Sequence, residues 1–287
     1  GTAGDWRIKK PKLEPGGWAF EFCNECYPDL DDSAVVARAL RSLSLAPAYE
    51  ILKEQAIARA RNWVVGMQSH DGGWAAFDCN CDLQLLAHLP FADFLTPLDP
   101  TCADVTAHVV ELLAEIDRDR PALKRALAYL QRRQEADGAW FGRWGVNYVY
   151  GTGLALAALC RAGAGNSVSA RRAARWLTNH QNADGGWGET CTSYNEPGLR
   201  GCGPSTPSQS AWALLGLLAA GEGRGDAVRR GIDYLLRSQQ PDGAWREELW
   251  TGTGFPRVFY LRYDLYRAYF PLLALAHYHT LTQGDNL

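Results

Sequence analysis

Residues 29–32 read Asp29-Leu30-Asp31-Asp32, so three carboxylates fall within four positions, directly before the apolar, helix-forming run Ser33-Ala34-Val35-Val36. A helix N-terminus attracts anions and offers N–H groups to a capping side chain. One acid is enough for a cap. Three within a few ångströms repel one another and drive at least one toward its protonated form. A carboxyl group that keeps its proton beside an apolar cavity is a general acid. Read alone, the tetrad favours the plainer reading of a solvated acidic cap; the rest of the chain reverses that preference.

The bulk composition removes several function classes. With 287 residues, 47% of them hydrophobic and 21% charged, the chain is long enough for a real core. A net charge of -3 points away from nucleic acid and from a polybasic membrane anchor. No apolar run approaches the ~20 residues that span a bilayer. There is no signal-peptide pattern and the first residue is not Met, so the chain is expected to be processed or cut from something longer. Eleven Trp and twelve Tyr suit a cavity that handles cations or apolar ligands. Of eight cysteines, Cys23 and Cys26 form a CxxC and Cys79 and Cys81 a CxC. No His or second CxxC completes a zinc pattern, so reduced thiols are expected and no metal or other cofactor.

The elements that must position the acids are written as a repeat. Q-x-x-D-G-[GA]-W occurs at Gln68–Trp74, Gln134–Trp140, Gln181–Trp187 and Gln239–Trp245, and Gly16-Gly17-Trp18 reads as the tail of a fifth copy. Each Asp-Gly step predicts a tight turn, since Gly tolerates positive φ. Amphipathic helical patterns lead into the motifs at 48–67, 121–134, 168–180 and 225–239. More apolar helices are predicted at Asp32–Leu43, Ala103–Ile116, Asn147–Ala162, Ser208–Ala220 and Leu265–Tyr278. The motif is expected to clamp the end of one helix to the start of the next, a structural task. No period-two strand run stands out. Buried helices alternating with amphipathic ones predict an all-α fold of two concentric rings, an α/α barrel. Five inner and four outer helices fall about three short of a six-plus-six barrel, so part of the barrel is expected outside this chain.

The repeats resemble the QW motifs of squalene-hopene cyclases and related triterpene cyclases. Residues 29–32 resemble their DxDD acid motif, with Ser33 where Thr is usual. Further similarity is spread along nearly the whole chain, at Pro15–Phe22, Asp104–His108, Trp140–Gly153, Thr206–Trp212 and Gly252–Tyr266, and is nearest the bacterial branch. The family enzyme has two α/α barrels. The resemblance implies that residues 1–287 are a single C-terminal, catalytic-barrel domain, cut from a longer two-barrel protein.

The same resemblance implies a mechanism. Asp31 would protonate the terminal alkene of squalene, with Asp29 and Asp32 polarising it and His108 hydrogen-bonded to it. Asp104, one turn before His108, would keep the imidazole charged, and Tyr150 would help reprotonate the acid through water. Polycyclisation to a hopanoid would follow through carbocations held by aromatic faces. The matching positions are Phe20, Trp144, Phe255 and Phe259, with Phe77 where the family often has Tyr, and Tyr263 and Tyr266 shaping the cavity. Phe91 and Ala92 match the constriction through which substrate is admitted. Implied partners are squalene or a similar isoprenoid, the missing N-terminal barrel, a second copy in a homodimer, and a membrane surface met from the cytoplasmic side of a bacterium without spanning it. Three alternatives stay open: a class II cyclase of a shorter isoprenoid, a folded but inactive fragment, and a prenyltransferase-like barrel needing zinc.

Overall fold

The computed structural model describes residues 2–81, 99–118 and 120–284; the predicted constriction residues Phe91 and Ala92 lie outside them. The chain forms two compact units, Gly1–Arg132 and Arg133–Leu287.

The first unit opens with a single turn, α1 (Trp6–Lys9). β1 (Trp18–Ala19) then pairs antiparallel with β2 (Pro28–Asp29), Trp18 opposite Asp29. Four helices follow: α2 (Leu30–Arg41), α3 (Pro47–Gly66), α4 (Ala103–Ile116) and α5 (Pro121–Arg133), the last ending at the unit boundary. α4 buries 11 of its 14 residues. α5 buries only Ala122, Leu123, Ala126, Tyr129 and Leu130, a stripe with the 3.6-residue period of an outer helix. α2 and α4 run parallel, because their cross-links step forward together: Asp31 to His108, then Arg38 to Glu111 and Glu115.

The second unit repeats the alternation. α6 (Tyr148–Arg161), α8 (Pro207–Ala219) and α10 (Tyr266–Gly284) pack side by side in that order. α8 buries 11 of 13 residues. α7 (Val168–Asn179) and α9 (Asp226–Ser238) bury single stripes, Ala170-Ala173-Trp176-Leu177 and Val228-Gly231-Ile232-Leu235. β3 (Gly252–Phe255) and β4 (Phe259–Leu261) form a bulged antiparallel pair.

The predicted helices are all present. α2 starts two residues earlier than expected, which puts Asp31 and Asp32 inside its first turn, and α10 runs six residues further. The β pairs were not anticipated, because strands of two to four residues are too short to show alternation.

The motif geometry explains the repeat. The Asp carboxylate accepts the N–H two residues on, at 3.0 Å in Asp71, 3.1 Å in Asp137, and 3.0 Å in Asp184 and Asp242. The following Gly has φ of +92, +107, +93 and +84°, which only Gly adopts without strain. Gln68, Gln134 and Gln181 each bridge two carbonyls through Nε2. One belongs to the Gly in their own turn, at 2.7–2.9 Å, the other to the second residue of the next outer helix (Ala122, Ser169 or Ala227), also at 2.7–2.9 Å. Within each unit the clamp therefore joins successive outer helices, α3 to α5 through Gln68 and α7 to α9 through Gln181. Trp74, Trp140, Trp187 and Trp245 are all buried to 1% exposure or less. At about 150–250 Å² each, every indole contributes on the order of 4–6 kcal/mol of apolar burial.

Candidate active site

Asp29 ends β2 in extended backbone and caps α2, accepting N–H bonds from Asp31 at 2.7 Å and Asp32 at 3.2 Å. The turn is pinned from outside as well. Leu30 donates its N–H to the Ala76 carbonyl at 2.7 Å, and Trp18 donates its N–H to Ser33 Oγ at 2.8 Å. These ties hold Asp29 at 8% exposure. Burial first, then the charges of Asp31 and Asp32, push its carboxyl up to about 8 against the two capping N–H groups. Burial and Asp31 likewise push Asp32 up to about 6, with His108 opposing. Asp32 Oδ2 is buried with no hydrogen-bond partner among the described residues.

Asp31 is partly exposed and hydrogen-bonds His108 Nδ1. Burial would lower the His108 pKa. The Asp31 carboxylate, through charge and hydrogen bond, outweighs this together with Glu111, and raises it above the ordinary imidazole value despite Arg38. Arg38 bonds Glu111, and reaches Glu115 at 3.1 Å. His108, Glu111 and Glu115 share one face of α4. The first unit thus carries an acid cluster in which burial raises the pKa of Asp29 and Asp32, with a cation-forming imidazole hydrogen-bonded to the partly exposed Asp31. Such a cluster can deliver a proton and stabilise the carboxylate left behind.

The family described as squalene-hopene cyclase C-terminal domain matches residues 1–280. The chain belongs to the squalene-hopene cyclase family. It is 48% identical over 288 residues to the squalene-hopene cyclase of Zymomonas mobilis, covering 98% of this chain and 44% of that protein. It is 49% identical over 278 residues to that of Alicyclobacillus acidocaldarius, covering 96% and 44%. The chain therefore spans less than half the length of these relatives. Among solved structures it resembles the type II terpene cyclase MstE from Scytonema (TM-score 0.60, 21% identity, 88% of this chain and 67% of that one). It also resembles ent-copalyl diphosphate synthase from Streptomyces platensis (TM-score 0.59, 20% identity, 96% and 46%). These likenesses establish the fold, the α/α barrel of class II terpene cyclases.

Asp29, Asp31, Asp32 and His108 lie together in the first unit. Asp104 is buried in the first turn of α4, one turn before His108. Phe20 is 66% and Phe77 39% exposed, and the loop of Phe77 is tied by its N–H and that of Asp78 to the Asp99 carboxylate. In the second unit the aromatic candidates form a connected series. Tyr150 meets Trp212 at 4.7 Å between centroids, Trp212 meets Tyr266 at 5.7 Å, and Tyr266 meets Tyr263 at 4.8 Å. Phe255 and Phe259 face each other at 5.7 Å across the β3–β4 turn. Arg143 places its guanidinium 4.9 Å from the Trp144 ring centroid and 5.9 Å from that of Phe255.

Sequence reasoning missed the Arg38–Glu111–Glu115 group. It also missed two buried acids that cap inner helices. Glu189 accepts the Val149 N–H of α6 at 2.9 Å, and Glu247 accepts the Ser208 N–H of α8 at 2.9 Å. Their signal was available: each stands two residues after a motif Trp.

Proposed function

We propose that this chain is the acid-bearing part of a squalene-hopene-type cyclase, an isomerase in which Asp31 starts the polycyclisation of squalene or a similar isoprenoid. The observation that carries this reading is the Asp31–His108 pair beside two carboxyls, Asp29 and Asp32, whose pKa burial raises. The Asp31 proton adds to the terminal C=C, forming a C–H bond from the π pair and leaving a tertiary cation. The new Asp31 carboxylate faces His108, whose raised pKa favours the imidazolium. Asp29, held protonated at neutral pH, adds no charge against it. Ring closure then passes the cation along aromatic faces, each worth about 0.5–2 kcal/mol. Trp144 and Phe255 suit that task, since they already receive the Arg143 cation. Tyr150 returns the proton through water, and Phe20, Phe77, Phe259, Tyr263 and Tyr266 shape the path. Squalene partitions into bilayers, so the assembled enzyme collects it at a membrane surface; no described helix is long and apolar enough to cross one.

The test is incubation with detergent-dispersed squalene, this chain alone and joined to the N-terminal remainder of a relative, with mass spectrometry of the lipid extract. Cyclic product that disappears in Asp31→Asn is expected. Product undiminished by that substitution would sink the assignment.

A further inference from the structure

Phe255 and Phe259 stand at the two ends of one turn, paired across β3 and β4. The Val258 N–H closes that turn on the Phe255 carbonyl at 3.0 Å. Pro256 takes its second place, and Arg257, in its third, has φ of +71°. A turn with Pro second and a positive φ third ordinarily has Gly or Asn in the third place. Arginine carries a Cβ and is strained there. Among the described residues the only other non-glycine with positive φ is Asn80, a residue type that tolerates it. Strain kept in a turn between two candidate site residues needs a contact that holds it, and points to a functional constraint.

The contact is to Tyr194. Arg257 Nε donates to the Tyr194 carbonyl at 2.8 Å, and the Tyr194 ring stacks on Tyr260 of β4, 5.8 Å between centroids. Tyr194 is buried, and its hydroxyl donates to the Gly142 and Gly145 carbonyls at 2.8 and 3.0 Å, which flank Trp144 in the chain. β3 reaches the same loop. The Thr253 N–H donates to the Trp144 carbonyl at 2.9 Å, and the buried Thr253 hydroxyl to the Arg143 carbonyl at 2.8 Å. The Phe259 ring lies so close on β3 that a Cβ added to Gly254 would meet it at 2.0 Å. One scaffold thus carries Trp144, Phe255 and Phe259. Thr253 ties its strand end and Arg257 its turn end.

We propose, on the cyclase reading above, that Arg257 is a positioning residue for product specificity, holding the Phe255 and Phe259 faces against the ring-forming cation. A cation between two ring closures has two exits. The next C=C adds its π pair to it and closes a ring. Otherwise a neighbouring C–H bond breaks, its electron pair becomes a C=C and the proton passes to water. Aromatic faces held in place stabilise the cation while the ring closes. A turn that drifts gives proton loss its chance, and a partly cyclised olefin leaves.

The test incubates squalene with this chain joined to the N-terminal remainder of a relative, as parent, Arg257→Ala, Arg257→Gly and Arg257→Lys, with mass spectrometry of the lipid extract. The ratio of partly to fully cyclised product should rise about three- to tenfold in Arg257→Ala, the range that one lost hydrogen bond carries. Arg257→Gly relieves the positive φ but lacks the anchor, and should raise the ratio less. Arg257→Lys still offers a donor to the Tyr194 carbonyl and should stay near the parent. Arg257 is exposed, so all three should keep the circular dichroism and melting of the parent. A second readout needs no turnover: fluorine NMR of the 287-residue chain labelled with fluorophenylalanine, assigned through Phe255→Leu and Phe259→Leu. Both signals should shift in Arg257→Ala and return in Arg257→Lys. Fluorine signals or a product ratio unchanged in Arg257→Ala, or an Arg257→Gly ratio equal to the parent's, would overturn the proposal and leave the cyclase reading standing. A parent that makes no cyclic product would overturn both.

Discussion

Replacing Asp29 by asparagine should stabilise the fold at neutral pH and flatten its pH dependence. The amide oxygen can still accept the capping N–H groups of Asp31 and Asp32, now at 2.7 and 3.2 Å. What the change removes is the capacity for charge. Asp29 is pushed up to about 8 and Asp32 up to about 6, both from 3.8. Folding therefore takes up protons across this window, and stability falls as the pH rises from about 4 toward about 8. His108 acts in the same sense: its pKa is raised from 6.5, so the stability it adds below that value is lost as the pH passes the raised one. One pKa unit corresponds to about 1.4 kcal/mol, so the roughly three units between the Asp29 starting value and pH 7 set a ceiling of about 4 kcal/mol. The new amide N–H groups, in a site only 8% exposed, take back about 1–2 kcal/mol. A net gain of about 2–3 kcal/mol at pH 7 remains, falling to nothing at about pH 5 and turning into a loss of about 1–2 kcal/mol near pH 4. Urea unfolding of both proteins by circular dichroism, from pH 4 to 8, measures it. Parent stability that is flat or rising from pH 5 to 8, or a variant less stable at pH 7.5, would refute the reasoning.

The clamp gives a paired comparison. Gln68→Ala leaves the Gly72 and Ala122 carbonyls and Arg125 without their partner in a buried site, and should cost about 2–4 kcal/mol in urea unfolding. Gln239→Ala, whose one side-chain bond among the described residues is exposed, should cost under about 1 kcal/mol; equal losses would contradict the clamp. Glu111→Gln removes one of the charges that hold the His108 pKa up, so the imidazole should titrate at lower pH by NMR, assigned against His108→Gln; an unchanged titration would remove Glu111 from the acid's support.

The legible parts of this molecule are the local ones. A Q-x-x-D-G-[GA]-W copy declares its turn within seven residues, and stripes such as Ala122-Ala126-Tyr129 declare an outer helix within three turns. The acid tetrad is local too. The Asp31–His108 bond spans 77 positions, and only the family resemblance named it in advance. Arg38 and Glu111 lie 73 apart and had no such guide. The positions 108, 111 and 115 can be read as one helix face, but nothing in that periodicity says which cation it meets.

The repeat also explains why the chemistry sits where it does. The motif tryptophan donates its backbone N–H to a hydroxyl on an inner helix: Trp18 to Ser33 at 2.8 Å, Trp74 to Thr106 at 3.0 Å, Trp140 to Thr152 at 2.9 Å and Trp187 to Ser210 at 2.8 Å. Two residues before those hydroxyls stand Asp31, Asp104, Tyr150 and Ser208. Three of these four are the acid, the residue expected to support its histidine, and the tyrosine expected to return its proton. Ser33 in place of Thr is then no defect, because the Trp18 N–H needs only the hydroxyl. The scaffold bond sets the depth of the first turn in each inner helix, and the side chain two positions earlier is left to vary with the chemistry. His108, two residues after Thr106, inherits its height along α4 from the Trp74 clamp. Structural and reactive roles are thus separated by two positions in one repeat, which lets a single motif hold three kinds of side chain at four equivalent places.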